Sequence, residues 1–201
     1  GMVWAYSMKR RPMPVFQSYS AYTPSLDQLN AEAAQNARDD QMIIRATTTT
    51  NRVWEMPVDD RNPMWESPRY TLALVCNFSL VTADKRWMLL QKSVNRCADP
   101  SPSTLIRQVS ANEPVTVPSA GANQIVIASF LPTRPNPLAT LTELVFKDTD
   151  PMNASINGRS FRLPEGLASG PLLTVLPAKS GWPLEFRGQT AARSMTFSHP
   201  G

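Results

Sequence analysis

Residues 69–81 read RYTLALVCNFSLV, and the conformation of this stretch decides the fold. Tyr70, Leu72, Leu74, Cys76, Phe78 and Leu80 alternate with Thr71, Ala73, Val75, Asn77 and Ser79. An extended chain would therefore carry one wholly apolar face and one mixed face. The alternation predicts a core strand of an antiparallel sheet over 70–81, with the body of the protein beginning there.

Downstream, further strands are expected at short intervals: Arg86–Val94, Ser103–Val109, Val115–Val117, Gln124–Leu131, Thr140–Lys147, Ser160–Leu163, Leu172–Leu176, Leu184–Arg187 and Met195–Ser198. Turn clusters separate them, such as Ala98-Asp99-Pro100-Ser101-Pro102, the Pro-rich stretch 132–137 and Asn157-Gly158. The 19 prolines, roughly twice average usage, run from Pro12 to Pro200 and oppose long helices after Pro57. A mainly β chain follows: an antiparallel β-sandwich of jelly-roll type over residues 70–201.

Upstream, residues 1–69 read as an extended N-terminal arm with one short helix and a linker. Ser25 precedes LDQLNAEAAQNAR, with Gln28 three residues on, as in a capping box. Leu26, Leu29, Ala33 and Ala37 form a narrow apolar stripe, and Asp39 and Asp40 set the end of the helix near Arg38. The threonines that close residues 41–50 resist helix and suit a strand or extended arm. Residues 51–69 are rich in Pro and acid, as expected of a linker or a long entry loop.

The first 24 residues carry Lys9, Arg10 and Arg11 with no acid, among Trp4, Tyr6, Phe16, Tyr19 and Tyr22. They lack helical or strand periodicity, so they must stay mobile or lie along another surface. Residues 25–150 hold 12 bases and 14 acids, and 151–201 five bases and two acids, so positive charge gathers at the two ends. No apolar run approaches the roughly 20 residues that span a bilayer, and the N-terminus lacks the apolar core of a signal peptide. Synthesis in a cytoplasm is the expectation. Gly1-Met2 fits either a tag remnant or the processed end of a polyprotein product.

Cys76 and Cys97 are the only cysteines. If 70–81 and 86–94 form a hairpin turning near Asp84, Cys76 falls opposite residue 92 and Cys97 is out of register, so two free thiols are expected.

Residues with catalytic chemistry are sparse. His199 is the only histidine and lies two residues from the end, which leaves no constellation for a His base or a His/Cys metal site. The eight glycines match neither GxxxxGK nor GxGxxG. Asp148 and Asp150 are the best paired carboxylates but lack further spaced oxygen ligands. The sequons at Asn77 and Asn153 are at chance frequency. The expectation is therefore a non-enzyme with no cofactor, metal, small-molecule substrate or membrane partner.

In organisation the chain resembles the small jelly-roll coat proteins of icosahedral viruses: a basic arm, a short helix, a Thr/Pro-rich extended segment and a many-stranded body. The resemblance implies a self-assembling structural subunit of a virion. Its first partners would be copies of itself or related subunits, with single-stranded nucleic acid second. On this reading Lys9, Arg10 and Arg11 contact nucleic acid through phosphates. Trp4, Phe16, Leu26, Leu29, Trp54 and Trp65 anchor neighbouring subunits. The rival reading is a non-catalytic β-sandwich binding module of bacterial or phage origin, using Trp65, Trp87 or Trp182 on a protein or carbohydrate. A hydrolase built on Asp148 and Asp150 ranks third.

Overall fold

The computed structural model describes Lys9 and residues 11–46, 60–62, 64–83, 87–99, 106–119, 124–131, 152–176, 190–191 and 194–198. Within them the stretch that opened the sequence reading divides in two. Pro68–Asn77 is a helix, and only Phe78–Ala83 is a strand. The expected strand over 70–77 is thus corrected to helix.

The physical reason lies in the side chains opposite the apolar set. Ala73 and Val75 are themselves apolar, and Tyr70, Thr71 and Ala73 through Asn77 are all buried. A helix buried on nearly every side is apolar all round, so alternation does not distinguish it from a strand. Local signals favour helix: Pro68 stands at the first helical position, followed by the strong formers Leu72, Ala73 and Leu74. The switch comes at Phe78, which takes extended backbone angles, while the Asn77 amide donates back to Ala73 O at 2.9 Å.

In chain order the elements begin with a single 3-10 turn at Ser18–Ser20, helix α1 (Pro24–Gln35), strand β1 (Met42–Ala46), helix α2 (Pro68–Asn77), β2 (Phe78–Ala83) and β3 (Trp87–Lys92). Then follow β4 (Val115–Thr116), β5 (Ile127–Ala128), β6 (Met152–Ile156), β7 (Arg159–Leu163) and the short helix α3 (Glu165–Ala168). The last are β8 (Leu172–Leu173), β9 (Val175–Leu176), β10 (Thr190–Ala191) and β11 (Ser194–Ser198). The described residues are mainly β. Their strand pairings are all antiparallel, and one isolated parallel bridge joins Arg61 to Arg162.

The strands form a three-stranded sheet ordered β1-β3-β2, a four-stranded sheet ordered β4-β11-β6-β7, and two-stranded pairs β5-β8 and β9-β10. The expected strands at 86–94, 115–117, 160–163 and 195–198 correspond to β3, β4, β7 and β11. The span 172–176 divides into β8 and β9. Of 124–131 only Ile127–Ala128 is strand, and Ile106–Val109 is irregular. β6 was not anticipated, although its turn was. Asn157 and Gly158 both take positive φ, 49° and 81°, which is the backbone a two-residue hairpin requires and the reason for Asn-Gly there. The spans 140–147 and 184–187 lie outside the described residues.

One core joins these parts. Met152, Ala154, Ile156, Phe161, Leu163, Met195 and Phe197 on the four-stranded sheet share a buried cluster with Leu74 and Val75 of α2 and with Met88 and Leu90 of β3. Phe130 stacks on Phe197 with ring centroids 4.0 Å apart, and Trp65 meets the ring of Phe161 edge-on at 5.8 Å.

The segment read as an arm enters this core. Ala31 and Ala34 of α1 belong to it, and Ile43 of β1 packs against it. The helix starts earlier than expected: Thr23, not Ser25, is the N-cap, its hydroxyl accepting the Leu26 N–H at 3.3 Å ahead of Pro24 at the first turn. The buried face is also different, consisting of Asp27, Asn30, Ala31 and Ala34. Residues 11–23 lie along it, with Val15 N–H donating to Asn30 Oδ1 at 2.8 Å and the Asn30 amide returning a bond to Val15 O at 3.1 Å.

Cys76 and Cys97 form a disulfide, with Cα atoms 5.2 Å apart, which corrects the expectation of two free thiols. The hairpin register that argued against it is nearly right, since Phe78 pairs with Lys92. What the argument lacked was the course of the chain beyond β3. Arg96 N–H donates to Cys76 O at 3.0 Å, and its guanidinium to Val75 O at 2.8 Å and Phe78 O at 3.0 Å. Residues 93–97 therefore run past the C-terminal end of α2 and bring Cys97 to Cys76.

Candidate assembly surface

The three-stranded sheet has two unlike faces, and its register decides which residues share each. Met88 and Leu90 of β3 point into the core, so Trp87, Leu89 and Gln91 take the opposite side. On β1, Met42 pairs with Gln91, Ile44 with Leu89 and Ala46 with Trp87, which puts Met42 and Ile44 on that outer side as well. On β2 the register shifts between Leu80 and Thr82, and Val81 is the extra residue of the resulting bulge.

This outer side mixes exposed apolar side chains with the polar Ser79, Thr82 and Gln91. Met42 is 51% exposed and Trp87 38%, Ile44 and Leu89 are half-buried, and the bulged Val81 is 50% exposed. Elsewhere Phe16 is 70% exposed and Leu29 48%. Scattered apolar side chains are ordinary on a protein surface, whereas contiguous ones on one sheet face mark a place where another surface docks.

The expected interface anchors are placed unequally. Phe16 and Leu29 are exposed and Leu26 is half-buried at the start of α1. Trp65 is 0% exposed and its indole N–H donates to Leu173 O at 3.0 Å, so within the chain it is a core side chain. Trp4, Trp54 and Trp182 lie outside the described residues. Of the outer-face residues, sequence reasoning had singled out only Trp87. The signal was present in Met42-Ile43-Ile44, because adjacent isoleucines in a strand must face opposite sides and one of them must leave the core.

Of the basic triplet, Lys9 and Arg11 are exposed, and Arg10 lies outside the described residues. The Arg11 guanidinium donates to Gln41 Oε1 at 3.3 Å, and the same oxygen accepts Arg38 N–H at 2.7 Å. Arg38 in turn holds Asp40 through two hydrogen bonds at 3.0 and 3.4 Å. That pairing keeps the Asp40 carboxyl below its ordinary range. Arg11 thus meets the body at the entry to β1, near Asp40, an acid already paired with Arg38.

A buried polar joint lies beneath α1. Asp27 accepts the backbone N–H groups of Arg69 at 2.9 Å and Tyr70 at 3.0 Å, with the Arg69 guanidinium 4.0 Å away. Ser67, the N-cap of α2, makes no side-chain cap bond, so the first helix caps the second. Burial pushes the Asp27 pKa upward against the pull of these donors. At the other end of α1, Lys92 Nζ donates to Ala34 O at 3.3 Å and Gln35 O at 2.7 Å. These groups position α1 and the sheet, and none of them had been anticipated.

Among the described residues no three His, Cys, Asp or Glu side chains converge as a metal site, and no helix is long and apolar enough to cross a membrane. Asp148, Asp150 and His199 lie outside the described residues. No family model matches the chain, and neither curated proteins nor solved structures provide a similar one.

Proposed function

We propose that the chain is a structural subunit that works by assembling with copies of itself, as the coat or shell protein of a virus particle. In this reading the β-rich body is a jelly-roll sandwich, the N-terminal segment clasps neighbours, and Lys9, Arg10 and Arg11 give a secondary contact to single-stranded nucleic acid. The observation that carries it is the two-faced sheet. Met88 and Leu90 fill the core from one side, while Met42, Trp87 and the residues around them present apolar surface on the other.

A non-catalytic binding module would use the same kind of surface for a foreign partner. It loses Trp65 as a ligand contact because that side chain is enclosed, and keeps Trp87. Size-exclusion chromatography with light scattering, followed by electron microscopy of the void fraction, separates the two. A coat subunit forms large regular assemblies from purified chain alone or with added oligonucleotide, and a binding module stays a monomer or small oligomer.

A further inference from the structure

The carbonyls of Leu74, Val75, Cys76 and Asn77 close α2 and have no N–H to meet inside the helix. Each is met from beyond it. Phe78 N–H donates to Leu74 O, Arg96 Nε to Val75 O at 2.8 Å, Arg96 N–H to Cys76 O at 3.0 Å and Ser93 N–H to Asn77 O at 2.8 Å. The Arg96 guanidinium also reaches Phe78 O at 3.0 Å, which sets a cation at the negative end of the helix. Residues 93–97 are thus the C-terminal cap of α2, and none of these bonds uses a sulfur. We propose that the Cys76–Cys97 disulfide is a redox-operated lock that closes after folding, on a strap that Arg96 has already laid against α2. This goes beyond the assembly reading and does not rest on it.

The remaining contacts around the bond also stand without it. The disulfide closes a sequence separation of 21 residues, and inside that loop β2 and β3 pair from Phe78–Lys92 to Ala83–Met88 by backbone alone. Leu74, Val75 and Phe78, the neighbours of Cys76 along the chain, are 0% exposed in the core. Opening the bond therefore releases the constraint on the unfolded chain while the native contacts persist. A chain made in a reducing compartment folds with two thiols, and an oxidising medium then closes the bond in place.

The two sulfurs differ in access. Cys76 is 7% exposed, whereas Cys97 is half-buried beside the exposed Ala98 and Asp99. In opening, the thiolate of a small thiol attacks Cys97 Sγ, forms a mixed disulfide there and expels the Cys76 thiolate, which takes up a proton. A second thiolate attacks the small-molecule sulfur of that mixed disulfide and expels the Cys97 thiolate, which is protonated in turn. Two small thiols become one disulfide, and their two electrons reduce the protein bond. Closure is the reverse, with a small disulfide such as oxidised glutathione as the oxidant.

The test reduces the purified 201-residue chain with dithiothreitol in the absence of denaturant, then removes the reductant and adds oxidised glutathione. Reduction should give two thiols by alkylation and mass, an unchanged near-ultraviolet circular dichroism spectrum, and a urea-unfolding constant raised on the order of a hundredfold. Acid-quenched samples of the closing reaction should carry glutathione on Cys97. Arg96→Ala should slow closure about tenfold or more, with Arg96→Lys between it and the native chain. Trp65→Phe, which weakens the fold elsewhere, should close at the native rate. A bond that opens only in urea, a reduced chain that loses its near-ultraviolet signal, adducts confined to Cys76, or Arg96→Ala closing as fast as Trp65→Phe would each overturn the lock. Should Arg96→Ala fail to fold, reduction and closure of the unsubstituted chain decide the matter alone.

Discussion

The carboxylate of Asp27 on α1 accepts the backbone N–H of Tyr70 on α2 at 3.0 Å, so the second helix takes its cap from the first. The pairing ties the N-terminal quarter of the chain to the core at a buried point. It also makes the joint sensitive to protonation.

Asp27→Ala leaves two buried N–H groups without their acceptor and should cost about 1–3 kcal/mol in urea unfolding at pH 7. Burial raises the Asp27 pKa above 3.8, so the folded state binds a proton more tightly than the unfolded one. Stability from this group is therefore greatest below 3.8 and declines as pH rises through the native value. Asp27→Asn should remove that part of the slope in melts between pH 3 and pH 7. It should be milder than Asp27→Ala at neutral pH, since one acceptor oxygen remains.

The Cys76–Cys97 disulfide closes a sequence separation of 21 residues around the β2–β3 hairpin. Cys97→Ser should lower stability by roughly 3 kcal/mol, the chain-entropy value for a loop of that size. Alkylation and mass measurement without reductant check the bond itself. Two modified thiols in native protein would contradict it.

Trp65→Phe keeps most of the buried volume but leaves Leu173 O without the indole N–H, and should cost about 1–3 kcal/mol. Trp65→Ala should cost about 3–5 kcal/mol through the cavity it opens. Because Trp65 is enclosed, Trp65→Phe should leave assembly at saturating concentration unchanged, as scattering would record.

In the proposed nucleic-acid contact Lys9, Arg10 and Arg11 would neutralise at most three phosphates. On single-stranded nucleic acid the slope of log affinity against log salt from this triplet should therefore be no steeper than about −2. Replacing all three by Ala should remove it in fluorescence-anisotropy titrations. An unchanged slope would move the contact elsewhere.

The contrast between 70–77 and 78–83 explains what could be read from the chain alone. Strands with one buried face, such as β7 and β11, show their alternation, and Asn157-Gly158 marks its hairpin because few other residues adopt two positive φ angles in succession. The helix α2 was hidden because burial on nearly all sides removes the polar face that would reveal a period of 3.6. The Asp27 cap and the disulfide depend on segments 42 and 21 residues apart meeting in space, which no local pattern specifies. The outer sheet face lay between these cases. β2 and β3 fell within expected strands and 41–50 was open between strand and extended arm, but which side would face the core depended on where α1 and α2 packed.

The claim that the chain is a self-assembling subunit is met most directly by light scattering of the purified 201-residue chain across a concentration series, with and without a single-stranded oligonucleotide. Large assemblies of uniform size, weakened by Leu89→Lys in a protein that still melts like the native one, are the predicted result. A monomer at every concentration and in both conditions would contradict it.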